Sequence, residues 1–176
     1  VVDCLPGNCA DILISTQALV FKGMPIIGDI IPAGVSFFAG GHAAIINDTW
    51  RDFELGSAGI DTTVEATGLN EGENPATIFN RSYWVDESPY TEVIVLRCKL
   101  TDEQIREVNA LALSYVGDPY NYSFIFDTVN RSYCSDIISK SFKEVGINLN
   151  KDGFATTIYD LISSSVCSSK FSLFFI

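Results

Sequence analysis

The sequence predicts one α+β domain, residues 1–176, in which a small, mostly antiparallel sheet packs against helices. A chain of this length can bury a substantial core in one domain and is too short for two comfortable ones. Short β-type segments dominate the first hundred residues, and two strong helical segments follow them. Because 47% of the residues are apolar, a disordered chain is excluded.

One helix and four strands are predicted before residue 101. Apolar residues at helical spacing predict a first helix within residues 9–23. Alternating or β-branched segments bounded by turn residues predict strands at residues 26–33, 42–48, 61–68 and 90–100. Residues 70–89 are polar, contain prolines and lack a clear period, so they are predicted to be irregular.

Three helices are predicted in the second half of the chain. The first, within residues 101–119, opens with a capping box formed by Thr101 and Gln104. The second, within residues 132–146, is expected to have Ser132 as its N-cap. A last helix is expected to begin near Thr157.

The charge of the chain argues against polyanionic partners. The formal net charge is −11, whereas a protein that binds phosphate backbones needs clustered Lys and Arg. The acidity also disfavours electrostatic docking on an anionic membrane. We therefore expect a soluble monomer that binds no nucleic acid.

No integral membrane segment is predicted. The most apolar stretch, residues 23–46, is interrupted by Pro25, Asp29 and Pro32 and by several glycines, which suits strands and turns. The chain begins with Val1 and not with methionine, so removal of a leader peptide is an expectation.

The five cysteines suggest an oxidising compartment with one thiol left unpaired. We expect Cys134 to be free and the other four to form two disulfides. On sequence proximity, Cys4–Cys9 with Cys98–Cys167 is preferred among three possible sets. The expected location is secreted, extracellular or periplasmic, although five reduced thiols in a cytosolic protein remain an alternative. No CxxC pair occurs and the chain has one histidine, so structural zinc is not expected.

The one histidine and the helix-start cysteine are candidate catalytic residues. His42 follows two glycines at the start of a predicted strand. Cys134 falls in the first turn of a predicted helix, where unpaired amides and the helix dipole favour a thiolate. Taken singly, each residue is more often a core residue. Together with a carboxylate they supply the parts of a Cys–His–acid triad.

The candidate acid is Glu65, in the strand predicted to follow the histidine strand. Strand alternation puts Thr63 and Glu65 on one face and Val64 on the other. A carboxylate there could accept the proton of the far ring nitrogen of the histidine and fix its tautomer. Asp48 and Asp61 are the rival acids.

Six segments in this order resemble a known family. They read GDII, GHAAII, VEATG, EVIVLRCK, GDPYNYSF and YCSDII. In this order and with these residues the chain resembles the circularly permuted NlpC-type papain-like proteins, in particular their YiiX-like branch, which is related to the lecithin:retinol acyltransferase group. The resemblance covers residues 26–146, and residues 1–25 and 147–176 are expected to be elaborations outside it.

The resemblance implies a role for each matched residue. Cys134 matches the nucleophile, His42 the base and Glu65 the orienting acid. Tyr120 matches a tyrosine that helps to bind the oxyanion, with the backbone N–H of the nucleophile as the other donor. The chain departs from the branch at Asp136, where glutamate is usual.

The resulting functional hypothesis is a cysteine hydrolase that cleaves an amide bond through an acyl-enzyme. The expected substrate is a peptide or peptidoglycan-type compound, or another small acylated molecule, and no metal or organic cofactor is expected. Two alternatives stay open: a lipid-directed acyltransferase or thioesterase, and a catalytically inactive binding module. Four aromatic residues could line a cleft, although packing is their more usual role: Trp50, Phe53, Tyr83 and Trp84.

Overall fold

Six strands and three helices make up the described part of the chain. The computed structural model describes residues 10–16, 41–47, 62–66, 76–80, 84, 90, 92–121, 123–124 and 128–174. In chain order the elements are β1 (Ile12–Ser15), β2 (His42–Ile46), β3 (Thr62–Ala66), β4 (Ala76–Asn80), β5 (Glu92–Cys98), α1 (Asp102–Ser114), α2 (Cys134–Glu144), α3 (Ile158–Ile162) and β6 (Cys167–Phe174). The strand predicted at residues 26–33 lies outside these residues.

The strands form one sheet in the order β4-β3-β2-β1-β5-β6. Each neighbouring pair is antiparallel. β1 lies between β2 and β5, with Ile12 opposite Ile45 on one side and opposite Leu96 on the other. The predicted α+β class with an antiparallel sheet is therefore confirmed, and β2, β3 and β5 lie where strands were predicted.

The helix predicted within residues 9–23 is wrong at β1, which is a strand. All four residues of Ile12–Ser15 are buried. Ile12 and Ile14 belong to the larger apolar cluster, and Leu13 belongs to a smaller cluster on the other face. Because both faces are covered, the strand lacks the polar–apolar alternation of a half-exposed strand. A short apolar run of this kind cannot be distinguished from a buried helix by its periodicity.

The two faces of the sheet are covered by different partners. On one face the sheet packs against side chains of α1 and α2, which include Val108, Ala112, Ile137, Ile138 and Phe142. On the other face Trp84 and Tyr90 close a smaller cluster. Alternation along β2 puts Ala43 and Ile45 on the helix face and Ala44 on the aromatic face.

Besides β1, two further strands were not predicted from sequence. β4 lies within residues 70–89, which were predicted to be irregular, and pairs with all five residues of β3. β6 pairs with β5 and has a register irregularity opposite Val95 and Leu96. Both are edge strands of the sheet, so each pairs with one neighbour.

A disulfide joins the two outer strands on one side of the sheet. Cys98 ends β5 and Cys167 begins β6, and their sulfurs are bonded as predicted. Cys134 is a free thiol, also as predicted. The expected partners Cys4 and Cys9 lie outside the described residues.

The helix starts follow the sequence with one correction. Thr101 and Gln104 form the predicted capping box at α1, and Thr157 with Asp160 forms another at α3. The N-cap of α2 is Tyr133 and not Ser132, and the Tyr133 side chain makes no capping hydrogen bond. Ser132 instead takes part in a backbone bridge with Tyr120.

Candidate active site

Cys134 is the first residue of α2 and is almost fully buried, with 2% of its surface exposed. The backbone N–H groups of Ala43 and Ser135 donate hydrogen bonds to its sulfur. These amides, together with the N-terminal end of the helix, surround the sulfur with partial positive charge. Such surroundings favour a thiolate.

His42 opens β2, directly after a glycine that no other residue could replace without strain. Gly41 has a φ of 135°, and a Cβ atom there would collide with the carbonyl oxygen of Ser15. Ser15 is also the residue that pairs with His42 across β1 and β2. The second glycine of the sequence GGH therefore lets the histidine strand approach β1 closely.

The imidazole of His42 lies between an acid and the thiol. Its Nε2 is 2.6 Å from Oε2 of Glu65. Its side chain also shares a hydrogen bond with Cys134. Because Nε2 faces the carboxylate, Nδ1 is the nitrogen that faces the sulfur. The structure thus brings together the three residues that the sequence singled out, while the rival acids Asp48 and Asp61 lie outside the described residues.

Both oxygens of the Glu65 carboxylate have hydrogen-bond donors. Besides the contact with the histidine, Oε1 accepts hydrogen bonds from Thr63 Oγ1 at 3.1 Å and from Trp84 Nε1 at 2.9 Å. Only 1% of Glu65 is exposed. As alternation predicted, Val64 and Ala66 lie on the opposite face, in the larger core cluster. A buried carboxylate with this many donors is held in one orientation.

The thiol and the imidazole shift each other's pKa in opposite directions. Burial alone would raise the pKa of the Cys134 thiol, but the hydrogen bond and positive charge of His42, with the Ala43 and Ser135 amides, lower it overall. Burial alone would lower the pKa of His42, but the hydrogen bonds and negative charges of Cys134 and Glu65 raise it to about 10. Both shifts favour the thiolate–imidazolium form of the pair over the neutral form.

Trp84 is a site residue whose role sequence reasoning missed. It is fully buried, as expected of a packing residue, and its ring stacks on the His42 ring with centroids 5.5 Å apart and planes at 12°. Tyr90 packs against both rings, 4.8 Å from Trp84 and 6.3 Å from His42. From the sequence, Trp84 is an aromatic residue in a polar segment, and this pattern does not predict its hydrogen bond to Glu65.

Lys140 holds the segment that leads into α2. Its Nζ donates to the carbonyl oxygens of Thr128 at 2.9 Å and Arg131 at 2.7 Å. It also lies 3.0 Å from the Asp136 carboxylate and over the ring of Tyr115. Only 5% of Lys140 is exposed, so a buried cation joins α2 to the preceding loop. Asp136, the position at which the chain departs from the branch, is thus the ionic partner of Lys140.

The backbone of Tyr120 lies close to the start of α2. It bridges Ser132, two residues before Cys134, and the neighbouring Asn121 N–H donates to the Ser132 carbonyl at 3.0 Å. Its ring is buried and packs edge-on against Phe124, with centroids 6.3 Å apart. A role for its hydroxyl in oxyanion binding stays a prediction.

The arrangement of the site does not suit a shared metal ion. The His42 imidazole is already engaged by hydrogen bonds with both the Glu65 carboxylate and the Cys134 thiol. Among the residues that the structure describes, no group of three or more His, Cys, Asp or Glu side chains could hold a metal ion. Within the same residues, no helix has the length and apolarity needed to cross a membrane.

A buried imidazole between a thiol and a carboxylate is the arrangement of papain-like cysteine hydrolases, here with the histidine and the acid ahead of the cysteine in the chain. Residues 39–164 match the family of permuted papain-like amidase enzymes, YaeF/YiiX, C92 family, and the chain belongs to this family of cysteine amidases and peptidases.

The fold is similar to that of a solved relative. The crystal structure of the metalloprotein YiiX from Escherichia coli O157:H7 superposes with a TM-score of 0.64 over 94% of this chain and 97% of that one, at 12% sequence identity. At this identity the likeness shows the fold. No curated protein matches the chain.

Proposed function

We propose that this protein cleaves an amide bond in a peptide or peptidoglycan-type substrate through an acyl-enzyme on Cys134. The hydrogen-bonded series Cys134–His42–Glu65 is the observation that carries the proposal. It provides a nucleophile, a proton carrier and an orienting acid in one buried unit.

In the first half of the reaction the Cys134 thiolate attacks the carbonyl carbon of the scissile amide. A carbon–sulfur bond forms and the carbonyl electron pair moves to oxygen. As the tetrahedral intermediate collapses, the carbon–nitrogen bond breaks and the His42 imidazolium gives its proton to the departing amine. The products of this half are a free amine and a thioester on Cys134.

In the second half the neutral His42 acts as a base. It removes a proton from a water molecule, and the resulting hydroxide attacks the thioester carbonyl carbon. The carbon–sulfur bond then breaks, which releases a carboxylic acid and restores the thiolate beside the imidazolium. Glu65 keeps Nε2 bound throughout, so the ring presents Nδ1 to the reacting atoms.

Tyr120 and the backbone N–H of Cys134 are the proposed donors to the oxyanion. The support for Tyr120 is its backbone bridge to Ser132, which brings its segment next to the start of α2. The position of Cys134 at the start of α2 supports the second donor, because backbone N–H groups there have no partner within the helix and can bind an oxyanion.

A peptide is favoured over a lipid as substrate. The family is described as an amidase family, and a net charge of −11 disfavours adsorption to an anionic bilayer. The Cys98–Cys167 disulfide supports a secreted or periplasmic location, because disulfides persist in oxidising compartments.

Trapping the acyl-enzyme tests the proposal. The wild-type protein and Cys134→Ala would be mixed with a peptide library, with muropeptides and with a lipid acyl ester, and intact mass and amine release would be measured. Adducts and new amines from peptides or muropeptides, with wild-type protein alone, are expected. Transfer from the lipid ester alone would indicate the acyltransferase, and binding without any adduct would indicate an inactive module.

A further inference from the structure

The two residues that flank Cys134 bind the backbone of one and the same residue, Thr156. The hydroxyl oxygen of Tyr133 accepts a hydrogen bond from the Thr156 N–H at 2.6 Å. The hydroxyl of Ser135 donates a hydrogen bond to the Thr156 carbonyl oxygen at 2.7 Å. We call this pair of bonds the Thr156 clamp.

The Thr156 clamp is shielded from water on both sides. Tyr133, Ser135 and Thr156 each have 0% of their surface exposed. A buried hydrogen bond is not exchanged readily for one with water, so breaking either bond leaves an unsatisfied polar group.

The loop side of the clamp is itself held firmly. The Asn150 side-chain amide donates to the Thr156 hydroxyl at 3.0 Å and to the Phe154 carbonyl at 2.6 Å, and its oxygen accepts from the Gly153 N–H at 2.8 Å. The capping box of α3 fixes Thr157, the next residue. Thr156 is therefore a rigid anchor point.

The helix side of the clamp lacks the usual means of fixing a helix start. Tyr133 is the N-cap of α2, but its side chain makes no capping hydrogen bond, unlike the N-cap threonines of α1 and α3. Without such a bond the first turn of a helix is free to fray. In α2 the clamp acts at the two positions on either side of the nucleophile.

We propose that Tyr133 and Ser135 are positioning residues, which hold the Cys134 sulfur in line with His42 by clamping the backbone of Thr156. This inference rests on the proposed function. It gives the hydroxyls of Tyr133 and Ser135 a positioning role, in which neither hydroxyl contacts the substrate.

The route from the clamp to the sulfur is short. The Ser135 N–H donates to the Cys134 sulfur, and the Ser135 hydroxyl is the group bound to Thr156. If Ser135 turns, its amide leaves the sulfur. Loss of the clamp should therefore reduce thiolate reactivity as well as stability.

The test compares Ser135→Ala and Tyr133→Phe with the control Ser141→Ala. Ser141 is also buried on α2 and also donates to a backbone carbonyl at 2.7 Å, but its acceptor is Ile137 and not Thr156. For each variant one measures thermal unfolding, the iodoacetamide labelling rate of Cys134 against pH, and kcat and KM on the substrate found above.

The clamp variants are expected to label about tenfold more slowly at neutral pH, with a midpoint shifted to higher pH, and to lose kcat with little change in KM. Ser141→Ala should lose stability and keep the wild-type labelling profile. Ser135→Thr keeps the hydroxyl donor, so its Cys134 should label at the wild-type rate. If Ser135→Ala does not fold, the comparison of Ser135→Thr with Tyr133→Phe tests the inference.

The inference would be overturned if the clamp variants had the same labelling profile as wild type and Ser141→Ala. Tyr133 and Ser135 would then have a structural role only. An ordinary, unactivated thiol in the wild-type protein would be a different result, since it would overturn the proposed function together with this inference.

Discussion

The indole nitrogen of Trp84 donates a hydrogen bond to Glu65, with Nε1 2.9 Å from Oε1 of the carboxylate. The same indole stacks on the ring of His42, which is itself hydrogen-bonded to Glu65. One side chain therefore fixes the acid and covers the base. Because all three are buried, water does not compete for the contact between acid and base.

Trp84→Phe should separate these two tasks, because phenylalanine keeps an aromatic ring and lacks the donor. Loss of a hydrogen bond to a buried carboxylate should cost about 1–3 kcal/mol of unfolding free energy. We expect kcat to fall, though less than in His42→Ala. Urea denaturation and steady-state kinetics measure both quantities, and unchanged kcat with reduced stability would assign Trp84 to packing alone.

Cys134→Ala and His42→Ala should each lower the hydrolysis rate by roughly three powers of ten or more, while the fold is retained. The double variant should be no slower than either single one, because nucleophile and base act as a unit. Glu65→Gln should cost less, since the acid orients the ring without joining the covalent chemistry. Additive losses in single-turnover kinetics would contradict this unit.

Tyr120→Phe should lose one oxyanion hydrogen bond, which corresponds to about 3 kcal/mol of transition-state stabilisation. We expect kcat to fall and the thiol labelling rate to stay at the wild-type value, because labelling forms no oxyanion. Equal kcat in variant and wild type would exclude the role proposed for the Tyr120 hydroxyl.

The pH dependence follows from the two shifted pKa values. Burial opposes the thiolate, but His42 and the neighbouring amides outweigh it and lower the pKa of Cys134, so labelling should persist below the range of an ordinary thiol. It should fall as the pH drops through that lowered pKa. The acylation rate should fall as the pH rises past about 10, where His42 loses the proton that the amine needs.

His42→Ala is the control for this profile. The variant should label with the pH dependence of a buried, unpaired thiol, whose midpoint lies at higher pH. Coincident curves for the two proteins would mean that the imidazole does not activate the thiol.

Lys140→Met should destabilise the protein by about 3–5 kcal/mol, because it leaves the Asp136 carboxylate buried without its cation. Lys99→Met, at an exposed lysine, is the control and should change little. Chemical denaturation measures the difference. A stability equal to that of wild type would show that the ion pair adds nothing beyond its desolvation cost.

The sequence predicted which side chains meet around His42 better than it predicted the sheet. His42, Glu65 and Cys134 could be found because each belongs to a short segment whose chemistry depends on neighbours in the chain: a glycine before the histidine, alternation around the acid and a helix start at the thiol. The structure brings these segments together as expected.

What the sequence concealed depends on contacts between distant residues. β1 was mistaken for part of a helix because the burial of Leu13 on one face and of Ile14 on the other removes the strand period. Trp84 lies in a segment without periodicity, and its hydrogen bond to Glu65 follows from the placement of β3. The clamp on Thr156 likewise needs a loop whose position no local pattern fixes.

The disulfide leaves the three residues of the proposed triad in two different parts of the chain. Cys98 and Cys167 are 69 residues apart, and the covalent ring that they close contains α1, α2 and α3, hence Cys134, Lys140 and Thr156. His42 and Glu65 lie outside that ring. In the loop-closure account such a ring reduces the entropy of the unfolded chain by an amount worth about 4 kcal/mol. Reduction of the disulfide would thus raise the conformational entropy of the unfolded segment that contains Cys134. The segment that contains His42 and Glu65 lies outside the ring and would not be affected directly.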